Sequence, residues 1–386
     1  MASTHAARSG ARRWWTLIAA LLPLLLLFVA PAAGIRVPVV VFFVILLWSA
    51  LIALWRGERR VGTAEPSSAG VGAVEGGAVQ MPAVQPVPEA ISTRRPWLHV
   101  LLVVATLITT TVAGAAHQGV NVLDEPRRWA VGLPYGIGLM LILGVHEMGH
   151  YLAARHHRIS ASLPYFIPVP FALGTFGAFI SMSGKMRTRR QLFDVGVAGP
   201  LAGLAVAIPA LVIGLRWSRV LPLEAGMGAP FGHGVDVHTS ILLAAISKLA
   251  IGDAVAGGHY VVLHPLAFAG WLGVTITALN LLPVGQLDGG HIAHALLGRA
   301  RGDWVGKLAI VAMVLLGLLV WSGLLFWALL VFMIGGTRGA EPQDDTTPLD
   351  GRRRALAWGT FALLALILVP FPHVLAPGLG LHCPYV

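Results

Sequence analysis

The stretch VGLPYGIGLMLILGVHEMGH, residues 131–150, decides how the rest of the chain is read. Its first fifteen residues carry no charge. Then His146-Glu147-Met148-Gly149-His150 places a glutamate between two histidines. A run of this length and polarity suits a membrane-spanning helix, which needs about 20 apolar residues. On a helix, positions i and i+4 share one face, so both imidazoles can approach one metal ion. Glu147, one step along, is placed to take a proton from a water activated by that metal. Ionisable groups at membrane depth are costly and usually functional. An ordinary helix end, with Arg155 to Arg158 following, is the plainer reading, and that cost weighs against it.

The wider composition agrees with a lipid-solvated chain. Of 386 residues, 56% are hydrophobic and 11% charged, with a mean hydropathy of +0.77. Soluble domains carry about a quarter charged residues. The net charge of +10 is not gathered into a stripe of the kind that binds nucleic acid. Its basic residues sit between apolar runs instead. A single cysteine, Cys383, excludes an intrachain disulfide or a cysteine metal cluster.

Apolar runs mark nine candidate spans: 14–33, 37–55, 97–116, 131–154, 192–215, 260–282, 305–321, 324–335 and 355–371. The expected fold class is an all-α polytopic membrane protein, a bundle of about 8–9 transmembrane helices. With the N-terminus in the cytoplasm, 21 of the 27 Lys and Arg fall in cytoplasmic segments, as the positive-inside rule requires. Five segments follow. Residues 1–56 read as a two-span hairpin, its first span retained rather than cleaved as a signal peptide. Residues 57–95, rich in Gly, Ala and Pro, have the composition of a disordered linker. Residues 96–336 are the membrane core, 337–354 a cytoplasmic loop, and 355–386 a last span and tail.

Catalytic zinc usually takes three protein ligands, so His146 and His150 need a third. The sixth span ends in Asn280-Leu281-Leu282-Pro283-Val284-Gly285-Gln286-Leu287-Asp288-Gly289-Gly290-His291. Asp288 is the only acidic residue between Asp253 and Asp303, and orientation puts it at the face that holds the histidines. His291 is the rival ligand. Broken backbone at this depth is tolerated only where protein or water satisfies it. The Gly-Gly pair also fits a plain helix-terminating turn. Gly199 and Gly203 have the spacing of close helix packing. His117, His233, His238 and His259 read as solvated loop residues on the outer side.

A membrane H-E-x-x-H followed by N-x-x-P-x-x-x-L-D-G-G resembles the site-2 protease family of intramembrane metalloproteases, peptidase family M50. Ser162 to Pro168, Gly174 to Ala178, Ala198 to Gly203 and His264-Pro265-Leu266 are similar to the branch holding plant EGY-type proteases and bacterial relatives. The likeness covers about residues 130–300. It implies one catalytic zinc on His146, His150 and Asp288, with Glu147 as general base. Asn280 matches a family asparagine that helps position substrate or the oxyanion. It also implies a small membrane-associated β-hairpin or sheet after the catalytic helix, over residues 159–186, and transmembrane protein substrates. The setting is the cell membrane of a bacterium, with the active-site mouth facing the cytoplasm. No PDZ domain is recognisable. A zinc prenyl-protein endopeptidase, a metal transporter using the same ligands and an inactive relative are the competing functions. The first would require a later glutamate ligand, and the second no glutamate between the histidines.

Overall fold

The computed structural model describes residues 96–183, 186–222, 240–252, 259–319, 323–336 and 342–368. The expected N-terminal hairpin and linker, residues 1–95, lie outside them. The chain divides into two compact units, one holding 87–309 with 337–386 and the other 1–86 with 310–336. Every residue of the candidate site belongs to the first.

That unit is mainly helical. Helix α1 runs Pro96–His117. A 3-10 segment, Pro126–Gly132, leads into α2, Leu133–His156, with Pro134 in its first turn, where a missing N–H costs nothing. Helix α3, Arg189–Arg216, starts at Thr188, whose side chain accepts the Gln191 N–H. Three stretches, Trp97–His117, Pro126–His156 and Arg189–Arg216, are long and apolar enough to cross a membrane. Helix α4, Ile241–Ile251, and α5, Pro265–Leu281, are apolar but shorter. Then come α6, Asp288–Leu297, α7, Arg299–Leu319, and, after the other unit's α8, Gly323–Gly335, the final α9, Gly351–Leu368.

Glycines let α2, α3 and α5 approach backbone to backbone. Gly149 of α2 faces the Ala198 carbonyl of α3, and Gly270 of α5 faces the backbone of Leu211. Either would clash if given a Cβ, the small-residue contact expected where lipid cannot drive association. Tyr135, Leu139 and Leu143 of α2 form one core with Phe166, Ala269 and Leu272. Leu211 and Leu215 of α3 form another with Leu243, Ile246 and Ala267. By contrast Trp97, Val100, Leu101, Val104 and Ile108 of α1 are all exposed. An apolar face of that extent fits contact with lipid rather than water.

The strands are few. Strand β1, Ser160–Ala161, pairs antiparallel with β4, Met182–Ser183. Strand β2, Tyr165–Pro168, pairs antiparallel with β3, Thr175–Phe179, Tyr165 opposite Phe179 and the register slipping between Phe166 and Pro168. These two small sheets follow α2, where the resemblance implies a small β-hairpin or sheet. Thr109 Oγ1 of α1 donates to Gly174 O at 2.7 Å, and Tyr135 of α2 donates to Leu173 O at 3.0 Å. The β2–β3 turn is thus pinned to both helices.

Two expectations need correction. Residues 260–262 do not begin the sixth span; strand β6, His259–Val262, pairs with β5, Arg219–Pro222. Valines and a tyrosine satisfy either structure by hydropathy, and the strand wins because β5 is there to pair with it. His264-Pro265 then starts the helix, the His264 ring accepting from Leu266 N at 3.2 Å. Second, His117 and His259 do not lie in loops. His259 opens β6, and His117 ends α1 with its ring 4.7 Å from Phe268 and 5.7 Å from Tyr135, because α1 runs one residue past the end of its apolar run.

Candidate metal centre

Helix α2 carries His146 and His150 one turn apart on the face turned to α3, and both are buried. Their Nε2 atoms stand 3.1 Å from each other. His150 Nδ1 lies 2.7 Å from the Val195 carbonyl of α3. A carbonyl only accepts, so Nδ1 carries the proton and Nε2 of the neutral ring presents a lone pair. Helix α3 comes this near because Gly199 and Gly203 stand opposite His150 and His146.

The third donor arrives from α6. Helix α5 ends at Leu281, and a six-residue connection folds back through short turns, Val284 N to Leu282 O and Leu287 N to Val284 O. Gly289 and Gly290 lie so close to the carbonyls of Leu281 and Gly285 that no Cβ fits. This close return puts Asp288 in the first turn of α6, pointing at the histidines. Asp288 Oδ2 lies 3.3 Å from His146 Nε2, and Oδ1 lies 3.4 Å from His150 Nε2. His291, one turn on, stands against Gly196 of α3 and is not in the cluster.

Donor separations of 3.1, 3.3 and 3.4 Å test the fit to a metal. A tetrahedral ion about 2.0–2.1 Å from each donor places the donors roughly 3.3 Å apart. The two imidazole nitrogens and the Asp288 carboxylate, with Oδ2 beside His146 and Oδ1 beside His150, are thus spaced as three ligands of one such ion would be. His146, His150 and Asp288 form the one group of this kind found among the described residues.

Two further residues stand beside it. Glu147 is half-buried, and its carboxylate lies near the backbone of Ile180, just past β3. Asn280, in the last turn of α5, has Nδ2 3.5 Å from His146 Nε2. The residues singled out from the sequence, His146, Glu147, His150, Asn280 and Asp288, are thus together, and His291 is apart.

Residues 135–322 match the profile of peptidase family M50. That stretch resembles the M50 peptidases and takes in most of α2 and all of α6, and with them His146, His150 and Asp288. Curated relatives are named as zinc metalloproteases. "Probable zinc metalloprotease EGY2, chloroplastic" of Oryza sativa subsp. indica is 34% identical over 232 residues, 60% of this chain and 42% of the relative. The Arabidopsis thaliana protein of that name is 32% identical over 276 residues, 72% of this chain and 48% of the relative. "Probable zinc metalloprotease EGY1, chloroplastic" of Arabidopsis thaliana is 34% identical over 251 residues, 64% and 45%. The chain spans less than half the length of these relatives. No solved structure matches it at a significant level.

Sequence reading missed what holds this cluster in place. The Val195 carbonyl is main chain and has no residue signature. Asp194 did carry a signal, being an acid inside an apolar run, a placement that marks a partnered group. Gly199 and Gly203 were legible as close packing, but not that their neighbours are the ligand rings.

Proposed function

We propose that this chain is an intramembrane zinc metalloendopeptidase. What supports it is the three-donor cluster of His146, His150 and Asp288 at 3.1–3.4 Å, with a carboxylate next to it in sequence. These three residues would hold the zinc ion. Bound there, zinc supplies Lewis acidity toward water and toward the scissile carbonyl. Glu147 accepts the proton of the attacking water and returns it to the leaving amine. Asn280 donates through Nδ2 to the oxyanion that develops on the carbonyl. Glu147 stands beside the strand segment that carries Ile180. Strand β3 pairs only with β2 among the described residues, so its other edge can receive an unwound substrate by main-chain hydrogen bonds.

The substrates are transmembrane segments of other proteins, cut within the bilayer. The chain has about 8–9 spans in a bacterial plasma membrane, with its N-terminus and the mouth of the site cytoplasmic. This placement rests on the charge bias of the loops. The third ligand being Asp288 disfavours a prenyl-protein endopeptidase with a glutamate ligand, and Glu147 between the histidines has no use in a transporter.

The decisive comparison is purified wild type against Glu147→Gln, with zinc content and cleavage of a transmembrane peptide both measured. Zinc is retained, and cleavage falls by about 100- to 10,000-fold. Full activity in the variant ends the reading. Metal flux without proteolysis replaces it with transport.

A further inference from the structure

Two consecutive residues of α3 serve two different neighbours. The Val195 carbonyl takes the His150 Nδ1 proton at 2.7 Å. The Asp194 carboxylate accepts from His157 Nε2 at 2.8 Å, and from Arg353 through Nε at 2.7 Å and a terminal guanidinium nitrogen at 2.8 Å. His157 caps the C-terminus of α2, the helix that carries both ligand histidines. Helix α2 is therefore tied to the first turns of α3 twice, once at the ligand and once at its end.

Arg353 comes from the far end of the chain, in the first turn of α9, and is held in turn by Asp350 at 2.5 Å. The strap before it lies along the entry to α3. Gln343 N donates to Met186 O at 3.0 Å and Asp344 N to Arg187 O at 2.8 Å. Asp345 accepts from Arg189 Nε at 2.7 Å and from Arg299 N at 3.2 Å. A guanidinium fork on one carboxylate fixes direction as well as distance. Fixing Asp194 fixes the rotation of the first turns of α3, and so the line along which the next carbonyl meets His150.

We propose that Arg353 and Asp194 are positioning residues for the metal ligand His150, so that the strap 342–353 sets the geometry of the metal centre. The inference rests on the metalloprotease reading, in that the centre it adjusts is the one assigned there. Neither residue touches metal or substrate. Partners that orient a ligand histidine affect metal affinity by about 10- to 100-fold.

The test uses the full chain loaded with cobalt(II), whose visible absorption bands report ligand geometry. Arg353→Gln and Asp194→Asn shift those bands, weaken cobalt binding by about tenfold, and lower kcat with KM unchanged. Arg353→Lys keeps the charge without the fork and recovers part of the effect. It carries the test if the other variants do not fold. Arg352→Gln, at the exposed neighbour, leaves the spectrum as it was. Wild-type bands and affinity in folded Arg353→Gln overturn the proposal. A wild type that binds cobalt but cleaves nothing sinks the protease reading and leaves the spectral comparison valid. One that binds no cobalt sinks both.

Discussion

Gly199 of α3 and His150 of α2 are packed so closely that a Cβ on the glycine would overlap the imidazole, its nearest atom being Nε2. The ring cannot retreat, since its Nδ1 is held by Val195 on the same helix. Gly199→Ala should therefore cost metal affinity at least the roughly 10- to 100-fold that loss of an orienting partner costs. Titration with a zinc-competing chelator measures it. Wild-type affinity in the alanine variant would show that α2 and α3 are not this close in solution.

Asn280 separates two roles. As a donor to the oxyanion, its loss lowers kcat by about 100- to 1,000-fold. Its Nδ2 is 3.5 Å from His146 Nε2, but it is not one of the three donors. Asn280→Ala should therefore keep its zinc while kcat falls. Zinc lost in parallel with activity would make Asn280 a prop for the ligand instead.

The outer edge of β3 offers a third check. Proline cannot donate to a strand ladder, so proline at Phe176, which is exposed, should reduce cleavage and leave zinc content intact. Turnover equal to wild type would mean that substrate does not join this edge.

Acid should loosen the strap. Hydrogen bonding from Arg189 holds the Asp345 carboxyl below the usual carboxylate range. A carboxyl held low in the fold contributes stability above its unfolded pKa near 4, and that contribution disappears as pH falls through the folded value. The pair is partly exposed, so it contributes no more than about 1 kcal/mol. Asp345→Asn should lower Tm slightly at pH 7, with the gap to wild type closing as pH falls below about 4. A gap that persists in acid would assign the effect to packing rather than charge.

Sequence alone determined the apolar helices, the paired histidines with their glutamate, and the neighbourhood of the third donor. Each is local: hydropathy along one run, two side chains four positions apart on one helix, one acid between long uncharged stretches. Only the tertiary structure groups Asp288, and not His291, with the two histidines. Three residues apart on one helix, both are chemically fit to bind. The choice turns on how Gly289 and Gly290 let α6 fold back against the end of α5. Only the tertiary structure, too, revealed the Val195 carbonyl, the strand that replaces the start of the sixth span, and the strap that brings Arg353 to Asp194. Backbone groups look alike in every residue, and a bond across 159 positions leaves no periodic trace in the chain.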